Sequence, residues 1–462
     1  MIDTRPSSEW RSAPAFRTVA VVMAATVAFA SVPARAQGLP IIRDAETEQL
    51  LRDYTQPILS VAGLAKQNIH PVIINDRGFN AFVMDAKRIF VNAGALMDSR
   101  TPNQIIGVLS HETGHITGGH LSKIRNELAN AQTAAIIAML LGLGAAVAGG
   151  RGSGDAAMAA MSAPQSAMMM SLLSYQRQQE EQADKAGVKF LTASGQSAKG
   201  MYETFKRFAD DELYKTQGMS PYMRSHPLSK ERVAALSELV RTNPYWDKKD
   251  SPELQMRHDL VRAKLRGFLE RPDTVARIYP GSDQSLPARY ARAIASYRYS
   301  DVRGALGQIN GLIAAMPGNP YFHELKGQVL LESGRPADAI GPLRHAISIA
   351  PNPTLMQVML AQALIATNSP AVASEAISNL QNAIARDPDI PDAYSQLAMA
   401  YGRKGDIGQA DLASAQAAFA KGDFRTAKQL AKRAKARFAV GAPGWVKADD
   451  IEAFKPPQRG PL

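Results

Sequence analysis

Apolar residues recur along this chain with several different spacings, and each spacing marks a different kind of element. Thr18 to Val32 is an apolar run of 15 residues behind a basic leader containing Arg5, Arg11 and Arg17, and Ala34-Arg35-Ala36 closes it with small residues either side of an arginine. This layout predicts a cleavable export signal over residues 1–36; the run falls short of the ~20 residues of a membrane helix, and an uncleaved anchor is the alternative. Leu50, Leu51, Tyr54, Ile58, Leu59 and Ala62 then fall at helical spacing, predicting a first helix over 44–66. Three short β-rich runs follow, Val72-Ile73-Ile74, Ala81-Phe82-Val83 and Ile89-Phe90-Val91, separated by the turn-like Asn75-Asp76-Arg77-Gly78 and Asp85-Ala86-Lys87-Arg88. They predict a small antiparallel sheet. Thr101-Pro102-Asn103-Gln104 reads as a capping box with proline at the first helical position, opening a helix whose buried side is set by Ile105, Ile106, Val108 and Leu109.

The pattern changes again downstream. No charge appears between Glu127 and Arg151 or between Asp155 and Arg177, leaving uncharged stretches of 23 and 21 residues around Gly149-Gly150-Arg151-Gly152-Ser153-Gly154. A helical hairpin over 128–176 is expected. Asn130, Gln132, Thr133, Ser162, Pro164, Gln165 and Ser166 dilute it, so it reads as a lid or membrane-touching element, with core packing or true spanning as alternatives. From about 280 a repeat emerges: Pro317 and Pro351 are 34 residues apart and Pro388 follows after 37, while Gly327, Ala339 and Ala346 hold the small positions where paired helices approach. This predicts a tetratricopeptide-like array of about four helix pairs over 280–438, the last degenerate, with an unrelated helical bundle as the alternative. Residues 439–462 read as a flexible tail.

A chain of 462 residues exceeds one compact core, so a domain over 37–260 is expected before the array. There are no cysteines, which excludes disulfides, thiolate metal ligands and cysteine nucleophiles. Net charge is +11, lowered by two to +9 once the leader is removed. That basicity suits anionic headgroups or acidic proteins, and no nucleic-acid-binding module accompanies it. Lys421, Arg425, Lys428, Lys432, Arg433, Lys435 and Arg437 face only Asp423 as counter-charge, reading either as a solvated helix or as a docking surface.

The chemistry concentrates in His111-Glu112-Thr113-Gly114-His115. Histidines four apart turn only about 40° round a helix, so both imidazoles can face one ion while Glu112 reaches a water beside it. That is the arrangement of a zinc peptidase. A third ligand is needed. His120 lies nine residues past His111, about 180° round a continuous helix, and Leu121 occupies the position where the longer H-E-x-x-H-x-x-G-x-x-H pattern ends, so His120 reads as a surface or packing residue. Glu180 and Asp184, four apart in Glu180-Glu181-Gln182-Ala183-Asp184, share one helical face. One carboxylate can bind the metal and the other accept the second ring N–H of a ligand histidine; the alternative is a solvated acidic run opening a helix.

The H-E-x-x-H helix, the apolar hairpin and the following E-x-x-A-D resemble the HtpX-like gluzincin metallopeptidases, with Asn80-Ala81-Phe82, Gly94-Ala95-Leu96, and Ser225-His226-Pro227 with Arg232 adding to the match. The resemblance implies an α+β zincin-type metalloprotease domain followed by an all-α tetratricopeptide solenoid. It implies one Zn²⁺ per chain on His111, His115 and Glu180, with Glu112 as catalytic base and the strand Asn80, Ala81, Phe82 as an edge that pairs with extended substrate. His226 would sit near the metal, either as a fourth ligand that closes the site or as a donor to the scissile carbonyl; ordering of its loop with Arg232 is the third possibility. With an export signal and a repeat array, the resemblance implies a periplasmic endopeptidase of a Gram-negative bacterium acting in quality control of outer-membrane proteins, with the barrel assembly machinery as a partner of the repeats. The rival reading is a tetratricopeptide adaptor or chaperone with a latent metal site. His70, His258, His323 and His345 carry no supporting pattern.

Overall fold

The computed structural model describes residues 39–124, 126–127, 154–214, 222 and 225–456, with side chains described outside 154–173 and 212–214. The export signal and the first arm of the apolar hairpin lie outside the described residues. β1 (Ile41–Ile42), β2 (His70–Ile74), β3 (Ala81–Val83) and β4 (Arg88–Asn92) form one sheet in the order β1-β2-β4-β3. The expected antiparallel sheet is in fact mixed. β3 and β4 form a hairpin, turned by Asp85, whose carboxylate accepts from the backbone N–H of Lys87 and Arg88 at 2.8 Å each. β2, however, lies parallel to β4, and the unpredicted β1 pairs antiparallel to β2. Alternation along a strand fixes which face is buried, not which strands are neighbours. The topology leaves β3 at one edge of the sheet.

α1 (Ala45–Val61) is capped by Asp44, which accepts from Thr47 N–H at 2.8 Å, and it buries Leu50, Leu51, Tyr54, Ile58 and Leu59 as its periodicity requires. α2 (Ala93–Asp98) leads to α3 (Pro102–Thr117), the helix of the H-E-x-x-H sequence. The expected capping box does not form there. Gln104 Oε1 accepts from the N–H of Arg100, one residue before the cap, at 2.7 Å, and Thr101 makes no side-chain cap. α4 (Gly154–Ala193) runs for 40 residues, so the second hairpin arm continues without a break into Glu180–Asp184. The acidic run is therefore mid-helix rather than a helix start. α5 (Lys199–Tyr214) and α6 (Lys230–Arg241) complete the layer. Ile73, Ile89 and Val91 of the sheet, Ile105, Ile106, Val108 and Leu109 of α3, and Val188, Leu191, Met201 and Phe205 of α4 and α5 share one core with α1. Each such side chain removed from water contributes about 1.5–3 kcal/mol.

α7 (Pro252–Leu269) belongs to two cores: Val261 and Leu265 pack with the sheet domain, and Leu260 packs with Tyr290, Ile294 and Ile309 of the repeats. After a short helix at Pro272–Ile278, five helix pairs follow rather than four. They are Leu286–Arg298 with Val302–Ala315, Pro320–Glu332 with Pro336–Ile349, Thr354–Ala366 with Ala373–Arg386, Pro391–Lys404 with Ile407–Ala420, and Phe424–Lys435 with Pro443–Ala453. The last helix corrects the expected tail. Its Ala448 is buried, and Phe454 closes against Phe419 and Phe424 at ring distances of 4.8 and 5.1 Å. Pro443 opens this helix, a place where proline fits, since its missing N–H would be unpaired anyway.

Candidate metal centre

Two helices bring the site together because they approach unusually closely. A Cβ on Gly114 would stand 2.7 Å from the backbone oxygen of Ala183, so α3 and α4 cross at a spacing only glycine permits. The Ala of E-x-x-A-D and the Gly of H-E-x-G-H are thus partners, and their contact carries Glu180 to the two histidines.

One donor atom each from His111, His115, Glu180 and His226 lies within 4.8 Å of the others, and all four residues are buried. His111 Nε2 is 3.0 Å from His115 Nε2 and 3.3 Å from His226 Nδ1. Glu180 Oε2 is 3.4 Å from His111 Nε2, and Glu180 Oε1 is 3.4 Å from His115 Nε2. His226 Nδ1 stands 3.1 Å from Glu180 Oε2. Ligands at ~2.0–2.1 Å from a tetrahedral Zn²⁺ are about 3.3 Å apart, so these separations fit one such ion. Three imidazoles and a carboxylate are also the donors that zinc takes when no thiolate is available.

The surrounding groups orient these donors. His111 Nδ1 approaches Asp184 Oδ1 at 2.9 Å, and Asp184 receives both Nε and Nη2 of Arg232, at 2.7 and 2.9 Å. Arg232 also reaches Glu180 Oε2 with Nη1, at 2.9 Å. Burial pushes against ionisation of both carboxylates. His226 and His111 nevertheless hold Glu180 well below its usual range, and Arg232 holds Asp184 below its own. Burial and the neighbouring His111 charge keep His115 well below the usual imidazole value, in the neutral form a ligand needs. Glu112 differs from these. Among the described residues its two buried carboxylate oxygens find no hydrogen-bond partner, and burial raises its pKa against the pull of His226, whose Nε2 lies 3.4 Å away. A carboxylate raised in this way beside the donor set can take a proton and return it.

His226 also reaches the sheet edge. Its Nε2 lies 3.2 Å from the carbonyl oxygen of Ala81 on β3, and the hydroxyl of the adjacent Ser225 donates to Asn80 Oδ1 at 3.1 Å. Asn80 and Ala81 thus lie beside the donor set, whereas Phe82 stacks on Phe90 at 5.3 Å. Tyr222 stacks on the His226 ring at 4.8 Å, a neighbour no sequence pattern announced.

His120 is a correction. It does not face away: its Nδ1 is 3.0 Å from His115 Nδ1, and the residue is 3% exposed. The reason is that α3 ends at Thr117, and Gly119 turns the chain through φ +61° before the helical segment that starts at His120. A Gly-Gly pair after an H-E-x-x-H helix was the available signal.

Residues 45–240 match the model of Peptidase family M48. The beta-barrel assembly-enhancing protease of Yersinia pestis is 24% identical over 407 residues, 87% of this chain and 82% of that protein. The protein of the same name from Escherichia coli (strain K12) is 23% identical over 355 residues, 73% of this chain and 69% of that one. Metalloprotease YcaL of Escherichia coli (strain K12) is 28% identical over 193 residues, 40% of this chain and 70% of that protein. Among solved structures, the TPR protein YrrB is 16% identical and covers 50% of this chain at a TM-score of 0.28, with 99% of that chain covered. Segment 45–240, which carries the donor set, accordingly matches an M48 peptidase domain, and paired helices follow it.

Proposed function

We propose that this chain is an exported zinc endopeptidase acting on misassembled outer-membrane proteins in the periplasm. The observation that carries the zinc assignment is the convergence of four buried donors within 4.8 Å of one another on an H-E-x-x-H helix. In this reading His111, His115 and Glu180 hold one Zn²⁺ per chain, and Asp184 with Arg232 keeps His111 and Glu180 in place. Bound there, zinc supplies a Lewis acid that polarises the scissile carbonyl and lowers the pKa of water toward ~7. Glu112 takes the proton from the attacking water and delivers it to the leaving amine. β3, ending the sheet, offers Asn80, Ala81 and Phe82 as backbone partners for an extended substrate, which would select for unfolded chain rather than for sequence.

The position of His226 supports a resting state in which its Nδ1 fills the fourth donor place, so the ring must leave before substrate enters. That same closure favours the rival reading of a chaperone or adaptor with a latent site, and the two functions are compatible in one molecule. Relatives named for barrel assembly support a link of the repeats to that machinery. Among the described residues no helix is long and apolar enough to cross a membrane; contact with a membrane surface through the hairpin remains part of the proposal. A pulse-chase of stalled barrel precursors tests the reading: the protein should speed their disappearance and Glu112→Gln should not. Equal turnover with wild type and the variant would leave only the adaptor.

A further inference from the structure

The two histidines of the H-E-x-x-H sequence are backed in different ways. Each turns Nε2 toward the shared donor position and therefore turns Nδ1 outward. A neutral imidazole that ligates through Nε2 carries its proton on Nδ1, and a buried N–H needs an acceptor. For His111 the Asp184 carboxylate stands 2.9 Å from Nδ1 as an ion-pair partner, close enough to take that proton although the two are not aligned as a hydrogen bond. Among the described residues no carboxylate lies at hydrogen-bonding distance behind His115. The atom there is His120 Nδ1, at 3.0 Å, with the two rings meeting edge to face at a centroid distance of 5.0 Å.

The chain is built to deliver that atom. Continuing α3 would place His120 on the opposite side of the helix from His111. Instead Gly118 ends the helix and Gly119 takes a left-handed φ of +61°, a conformation that costs other residues roughly 1 kcal/mol or more. Gly118 also makes room: a Cβ there would stand 2.2 Å from His120 Nε2. The far side of the ring is held as well, with Nε2 3.4 Å from Gln182 Oε1. Gln182 lies on α4 between Glu180 and Asp184, so the helix that supplies the acidic ligand also supports His115 through this second route.

We propose that His120 is a positioning residue of the metal centre, accepting the Nδ1–H of His115 and so fixing the Nε2 lone pair of His115 on the metal. For Nδ1 of His120 to accept, its own proton sits on Nε2 and points at Gln182. The result is a neutral chain from His115 to His120 to Gln182, beside the charged chain from His111 to Asp184 to Arg232. One ligand histidine is thus made more basic by a carboxylate while the other is oriented without added charge. This limits the negative charge gathered round Glu112, whose carboxylate must accept a proton and give it up again.

The inference rests on the zinc reading of the site, and zinc affinity of the full chain tests it. Affinity is measured by competition with a chromogenic chelator for wild type, His120→Leu, His120→Asn and His111→Ala, with thermal unfolding of each apo-protein as a folding control. Leucine fills the same space without an acceptor, whereas the asparagine Oδ1 can stand near the lost Nδ1. His120→Leu should weaken zinc binding about 10–100-fold, and His120→Asn should recover most of that loss. Wild-type affinity in His120→Leu, or an asparagine variant as weak as the leucine one, overturns the role, because packing alone would then account for the residue. A wild-type chain that takes up no zinc overturns the metal reading along with it. That failure is told apart by the absence of any difference from His111→Ala.

Discussion

Among the described residues the two buried oxygens of Glu112 have no hydrogen-bond partner, a condition that costs folding free energy. Glu112→Gln keeps the shape and loses the base, so peptide hydrolysis should fall by about 10²–10⁴ with zinc content unchanged, read by a fluorogenic peptide assay beside metal analysis. Undiminished turnover would remove Glu112 from the chemistry. Asp184 is held differently, between His111 and Arg232. Asp184→Asn should lower zinc affinity about 10–100-fold. It should also destabilise the apo-protein by about 3 kcal/mol, because the buried Arg232 loses its main counter-charge; equal melting of variant and wild type would contradict this. At this scale the H-E-x-x-H residues and the E-x-x-A-D carboxylates were readable, since helical spacing alone decides what shares a face. His120 was not, because the argument assumed an unbroken helix and Gly118-Gly119 break it.

Elements meet here through small residues. The spacing of α3 and α4 is set by Gly114 against Ala183, at a distance that leaves no room for a side chain. Gly114→Val should force the helices apart, reduce bound zinc to well below one per chain and destabilise the fold by about 1–3 kcal/mol or more, measured by metal analysis and denaturant unfolding. A variant with full zinc occupancy would show that the crossing is looser than described. The positions of β2, β3 and β4 and the starts of α1 and α3 followed from periodicity, turn residues and the proline of α3's first turn. Strand order did not, because β2 and β4 pair in parallel through a register that no local pattern encodes. Nor did the true extent of α4: an uncharged arm and a charged arm look like two elements, yet backbone hydrogen bonding runs through both. The helix at Pro443–Ala453 was not legible, because the proline- and glycine-containing end of the chain reads as a loose tail.

Across the whole molecule, the sheet domain and the repeats are tied through Lys264 of α7. Its Nζ lies 2.5 Å from Asp44, 3.4 Å from Glu46 and 3.8 Å from Glu324, while Tyr290 donates to Glu46 at 3.0 Å. Two buried carboxylates and the half-buried Asp44 share one ammonium. Burial accordingly raises Glu46 to about 7 and Glu324 to about 8, both against the pull of Lys264. The folded chain therefore keeps protons that the unfolded chain releases above its ordinary glutamate value of 4.5. Stability attributable to these two glutamates is full below that value, falls as pH rises through the folded pKa values, and is level beyond about 8. Glu324→Gln should flatten the profile, gaining about 1–3 kcal/mol over wild type at pH 9 and little at pH 4.5 in chemical unfolding. A constant difference between the two proteins at both pH values would show that the joint does not titrate. The array that this joint holds in place was visible in the spacing of prolines, but the joint itself was not, since Asp44, Lys264 and Glu324 are far apart in sequence and share no motif.

The central claim is a single metal site made by α3 and α4, and the most direct measurement is an anomalous diffraction map of the zinc-loaded crystal on both sides of the zinc edge. The account predicts one peak per chain, about 2.0–2.2 Å from Nε2 of His111, Nε2 of His115 and a carboxylate oxygen of Glu180. A zinc peak elsewhere, or one bound by the histidines with Glu180 turned away, would contradict it.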